Sequence, residues 1–156
     1  MSLLLTPVPA ADSPASRPTP AAPPAQAPAL IRDDADAIAT ARRLAAQFAP
    51  EAALRDRERR LPWAELDAFS ASGLWGITVP REFGGPGVST VTLAEVISTI
   101  AAADGSLGQI PQNHFYALEV LRVGGSEAQK RFFYARALAG ERFGNALAEI
   151  GHKDFK

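Results

Sequence analysis

Apolar residues recur along this chain at helical intervals in several separate stretches. Ile38, Ala41, Leu44, Ala45 and Phe48 mark one face of a helix that starts at Asp33. Asp33 and Asp34 suit its positive N-terminal end. The run ALRDRERRLP, residues 53–62, is dense in mixed charge and predicts a solvated helix end or connection rather than an anion site. Pro62 fits the first turn of a helix through WAELDAFSAS, and Gly73 fits its stop. In LWGITVPREFGGPG, residues 74–87, the helical period is lost. Ile77 and Val79 alternate briefly before Pro80, Gly84, Gly85, Pro86 and Gly87 impose turns. STVTLAEVISTIAAAD, residues 89–104, restores the period through Leu93, Val96, Ile97, Ile100 and Ala101, with Ser89 or Thr90 as cap. Ser126 to Gln129 is a capping box for a last helix that closes at Gly140. The pattern predicts about five helices with short connections, an all-α bundle.

Between those helices lies DGSLGQIPQNHFYALEVLR, residues 104–122. Leu107, Ile110, His114, Leu118 and Leu121 are spaced by three and four and lie on one helical face. His114 is therefore predicted to face inward. A core histidine bonded to a neighbour and a pocket-lining acid, base or donor both fit that position. Gly105, Gly108 and Pro111 stand nine, six and three residues earlier and are poor helix formers, so they are expected to loosen the helix and leave room for a ligand.

The two ends differ from the middle. Residues 1–30 hold eight prolines and eight alanines, no glycine, and only Asp12 and Arg17 as charges. Such a stretch buries too little apolar surface to offset its ordering entropy, so residues 1–32 are expected to form a disordered tail. At the other end RFGNALAEI, residues 142–150, is short, apolar and without helical period. It predicts a strand beginning where the helices stop. A single strand has no pairing partner, so an incomplete chain is expected.

Composition narrows the chemistry. The chain has 156 residues, 47% of them hydrophobic, and a net charge of −1. That charge leaves no footprint for nucleic acid. No apolar run approaches the roughly 20 residues of a membrane helix. MSLLLTPVPA lacks a basic start and is broken by prolines, so no secretory signal is read and a cytoplasmic location is expected. Absence of cysteine excludes disulfides and thiolate catalysis. His114 and His152, without carboxylates at ligand spacing, make no metal site. Gly84-Gly85 precedes a helix, but no GxGxxG or Gly-Lys-Ser/Thr phosphate loop is present.

Two ordered segments carry a family resemblance. GITVPREFGGPGVSTVTLAEVI, residues 76–97, resembles the Pro-x-x-aromatic-Gly-Gly turn and following helix of the acyl-CoA dehydrogenase superfamily. GGSEAQKRFFYARALAGERFGNALAE, residues 124–149, resembles its Gly-Ser-Glu-x-Gln-Lys helix and the entry to its β-domain. Within that superfamily LRDRERRLPWAEL, DGSLGQIPQNHF and FGNALAE are similar to the flavin-dependent monooxygenase branch of dibenzothiophene monooxygenase-like and sulfur-acquisition oxidoreductases. The resemblance implies a helical N-terminal domain over residues 33–142 and the start of a β-domain strand over 143–156. It implies reduced FMN supplied by a separate flavin reductase, with FAD as the alternative. It implies a small organosulfur substrate, oxygen, and a tetramer. It implies His114 as the catalytic residue and Asn145, Ala146 and Leu147 as the cofactor-binding segment. Ile110, Phe115 and Leu118 would then form the dry wall of the substrate pocket. Two other readings remain open: an FAD-dependent acyl-CoA dehydrogenase, and a helical domain with no activity of its own.

Overall fold

The structure is a computed structural model that describes residues 27–144. The described residues form six α-helices: α1 (Asp34–Glu58), α2 (Trp63–Ala71), α3 (Thr90–Ala103), α4 (Gly105–Gln109), α5 (Pro111–Gly124) and α6 (Glu127–Leu138). Short 3-10 turns at Leu74–Gly76 and Arg81–Phe83 join α2 to α3. No strand occurs among the described residues. The expected strand over 143–156 falls mostly outside them, and residues 141–144 have no regular secondary structure.

Helix α1 begins where Asp33 accepts the amide of Asp36 at 2.9 Å. It ends at Arg59, whose left-handed backbone (φ 53°) returns its N–H to the carbonyls of Arg55 and Asp56. Pro50 lies within the helix at an exposed position. Helix α1 packs most extensively along α3. The two run in the same direction, because pairs climb both together. Ser89 donates its amide to Asp34, Arg42 bonds Glu95, and Arg55 bonds Asp104. Ala37 and Ala41 on α1 are small, which lets the helices approach closely, and Leu44, Phe48, Val96 and Ile100 fill the seam.

The segment around His114 differs from the sequence expectation in one respect. It is two helices, not one loosened helix. Asp104 caps α4 by accepting the amides of Ser106 and Leu107. Pro111 is then the first residue of α5, where its missing N–H has no intrahelical acceptor to lose. Gly108 opens no space either: a Cβ there would collide with Ala101 of α3. It is a close-packing glycine. The turn at residue 110 swings Ile110 off the inward stripe, leaving it 38% exposed, while Leu107, His114 and Leu118 stay buried.

Helix α6 opens with the expected Ser126–Gln129 capping box. It closes the core by packing Tyr134 on Phe83, with ring centroids 5.0 Å apart. The residues just before α1 are also tied down. Ala29 donates its amide to Ala71 at 2.9 Å, and Ile31, 6% exposed, joins the core. Packing thus starts a few residues ahead of the boundary expected at residue 32, because the Ile31 side chain is buried in the core while Leu30 stays exposed.

Candidate functional site

His114 stands at the centre of an aromatic and hydrogen-bonded knot. Helix α5 carries it inward, and the ring is 1% exposed. Its Nε2 lies 2.8 Å from the carbonyl oxygen of Trp75, in the 3-10 turn after α2. Its Nδ1 accepts the backbone N–H of Phe143 at 3.2 Å. An acceptor at Nδ1 leaves the proton of a neutral ring on Nε2, which donates to Trp75. Phe143 stacks almost parallel to the imidazole, at 5.1 Å and 18°, while Trp75 and Phe115 meet it at steeper angles. Trp75 is itself anchored by its indole N–H on Ser70. Burial pushes the His114 pKa down to about 4, opposed only in part by the bond to Trp75. The ring is therefore neutral at physiological pH.

The sequence-predicted wall is split. Phe115 and Leu118 are core residues beside this knot. Ile110 instead lines a cavity of about 640 Å³ together with Arg55, Arg59, Leu61, Gly105 and Ser106. A second cavity of about 120 Å³ lies between Pro28–Ile31, Gly73 and Leu138. His114 lines neither cavity. Asn145, Ala146 and Leu147, expected to hold the cofactor, lie outside the described residues, as does His152. Among the described residues no cluster of three His, Asp or Glu side chains could hold a metal. None of their helices is long and apolar enough to cross a membrane.

One buried polar centre escaped the reading of the sequence. Arg55, in the charged run taken as solvated, is 5% exposed. Its guanidinium donates to Asp104 at 2.8 and 3.3 Å, to Glu65 at 2.9 Å and to the carbonyl of Phe48 at 2.8 Å. All of these partners are internal, so the group ties α1, α2 and the α3–α4 junction together at the wall of the larger cavity. A signal was available. Arg55 follows Phe48 by seven residues, on the same face as Ala37, Ala41 and Leu44.

The acyl-CoA dehydrogenase N-terminal domain pattern matches residues 32–141. The chain belongs to the acyl-CoA dehydrogenase family. Within the family it is 38% identical over 117 residues to dibenzothiophene monooxygenase of Rhodococcus erythropolis, covering 74% of this chain and 28% of that protein. It is 36% identical over 107 residues to 3-sulfinopropanoyl-CoA desulfinase of Paraburkholderia xenovorans (strain LB400), covering 66% of this chain and 27% of that protein. Among solved structures it resembles FMN-bound TdsC from Paenibacillus sp. A11-2, with a TM-score of 0.59 at 38% identity over 65% of this chain and 26% of that one. TdsC has also been crystallised with FMN and indole. The chain thus spans little more than a quarter of the length of the relatives it matches. The six helices are the helical N-terminal domain of the acyl-CoA dehydrogenase family.

The FMN bound in TdsC sets a test for the residues in hand. A flavin needs a cleft for its ring and polar groups free to bond it. Both nitrogens of His114 are taken by main-chain groups, and the ring lines neither of these two cavities. Thr78 Oγ1, the Tyr134 hydroxyl and one Arg142 guanidinium nitrogen are buried without a hydrogen-bond partner, but they line neither cavity.

Proposed function

We propose that the protein carrying this domain is a reduced-flavin-dependent monooxygenase of small organosulfur compounds. The observation that carries this reading is the 38% identity to both dibenzothiophene monooxygenase and FMN-bound TdsC, over a region that forms the same helical domain. The cofactor is reduced FMN delivered by a separate flavin reductase, and oxygen is the second substrate. A cytoplasmic location goes with that supply. This domain contributes a packed, dry wall built from Trp75, Phe115, Leu118 and Phe143. The outer faces of α5 and α6 leave Tyr116, Val120, Val123 and Phe132 exposed. Apolar side chains in that pattern favour burial against further protein; the tetramer is carried by the family likeness, through parts of the protein beyond this domain.

The test supplies the protein with FMN, a flavin reductase, NADH and dibenzothiophene, and follows sulfoxide and sulfone by chromatography. Product formation that depends on the reductase supports the reading. Oxidation of an acyl-CoA thioester with no sulfur oxygenation would refute it. The second reading, FAD-dependent acyl-CoA dehydrogenation, has its own support in the acyl-CoA dehydrogenase family pattern over residues 32–141. It predicts that an acyl-CoA bleaches bound FAD in the absence of any reductase.

A further inference from the structure

The residues that enter the helical domain and those that leave its last helix meet in one place. Ahead of α1, Ala29 donates its amide to the carbonyl of Ala71, the last residue of α2, at 2.9 Å. Beyond α6, Gly140 takes the left-handed backbone (φ 83°). The amides of Gly140 and Glu141 turn back to the carbonyls of Ala137 and Arg136, each at 3.0 Å. Those two bonds are the pattern of a glycine helix stop. Two glycines receive the entering segment. A Cβ on Gly73 (φ 82°) would collide with the carbonyl of Ala29. A Cβ on Gly140 would stand 3.0 Å from Cγ of Pro28 and 2.9 Å from the carbonyl oxygen of Ser70. Left-handed backbone accounts for glycine at both positions. It does not account for both of them lying bare against the same short segment. Leu138, the last residue of α6, packs on Gly76, and it lines the smaller cavity together with residues 28–31. Ile31 seats its side chain in the core, while Leu30 is 73% exposed.

We infer that residues 28–31 are a latch: they hold the end of α2 and the glycine stop of α6 together, so that the entry to the helices and the end of the last helix open or stay closed as one unit. Each residue has a distinct part. Pro28 fills the space beside Gly140 that a side chain would take. The Ala29 amide fixes the segment on α2. Ile31 anchors it in the core. Loosening the latch is felt at the end of α6 and not in the α1–α3 seam, which Val96 and Ile100 fill independently. The latch does not depend on the flavin reading.

Two variants of the full chain test it, read by amide hydrogen exchange. Pro28→Ala removes the ring carbon that packs on Gly140. Leu30→Ala removes an exposed side chain from the same segment. In the parent, the Ala29 amide is expected to be protected. In Pro28→Ala, exchange at Ala29, Gly140 and Glu141 is expected to rise about threefold to tenfold, while Val96 and Ile100 stay within about twofold of the parent, as a local opening requires. In Leu30→Ala all five amides are expected to stay within about twofold, as for a surface change. Unchanged exchange at Gly140 and Glu141 in Pro28→Ala overturns the latch. So does an equal rise at Val96 and Ile100, which marks a loss of global stability. A rise at Gly140 in Leu30→Ala as large as that in Pro28→Ala overturns it too. Should a variant fail to fold, the unsubstituted chain still decides: an Ala29 amide that exchanges as fast as an unstructured one overturns the inference.

Discussion

Asp104→Asn changes one functional group at the centre of the buried charge network and nothing else in the chain. Oδ1 of Asp104 accepts the amides of Ser106 and Leu107, at 2.9 and 3.2 Å, and so caps α4. Oδ2 accepts from Nη2 and Nε of Arg55, at 2.8 and 3.3 Å. Asparagine keeps an acceptor for the cap but turns an NH2 toward the guanidinium. The substitution therefore isolates the ion pair from the cap. Both side chains are nearly inaccessible, 6% for Arg55 and 7% for Asp104, so solvent screens the pair little. Removing one partner of a buried pair costs about 3–5 kcal/mol, because the other charge stays behind without compensation. Glu65, 2.9 Å from Nη1, retains part of that compensation. A loss near the lower end, about 3 kcal/mol, is expected. For a domain of this size that lowers the melting temperature by about 12 °C. Urea unfolding followed by circular dichroism at neutral pH measures the loss directly. The double variant with Arg55→Met removes both charges, and it is expected to be at least ~1 kcal/mol more stable than the two single losses added together. A single loss below about 1 kcal/mol, the range of exposed pairs, would refute the reasoning. So would strict additivity.

Three further outcomes are expected. His114 titrates near 4 in the fold against 6.5 when unfolded. Between those values the unfolded chain holds more protons, so stability rises with pH across the window. The contribution is complete above about pH 6.5, and about 3 kcal/mol of it is lost on descending to pH 4. A set of urea melts in which His114→Gln keeps the same slope as the parent would show that another group is responsible. Gly108→Ala should cost about 1–3 kcal/mol, since its methyl would meet Ala101 and push α4 off α3; an unchanged melting temperature would mean that the seam can yield. Ile31→Ala should cost about 2–4 kcal/mol by emptying a core position, whereas a loss under ~0.5 kcal/mol would show that the residues ahead of α1 are undocked.

Local periodicity and end signals were enough to place α1, α2, α3 and α6. The Ala41–Leu44–Phe48 stripe, the Ser89 cap, and the Ser126–Gln129 box each rest on residues within a turn or two of one another. Such short-range rules act before any tertiary contact exists. The inward orientation of His114 was readable for the same reason. What the histidine bonds to was not, because Trp75 and Phe143 reach it from other elements. The burial of Arg55 also depended on distant partners, as Glu65 and Asp104 arrive only when α2 and the α3–α4 junction close over α1. In the sequence alone a charged residue among charged neighbours reads as solvated. Gly108 and Pro111 changed meaning in the same way. Poor helix formers within an apparent helix suggested a loosened wall, but Pro111 starts a new helix and Gly108 brings α4 against α3. The sequence by itself determined where helices form and which faces are apolar, since both follow from neighbouring residues. Only the tertiary structure decided which polar groups are satisfied inside, because a hydrogen bond between residues 29 or 49 positions apart exists only once the chain has folded.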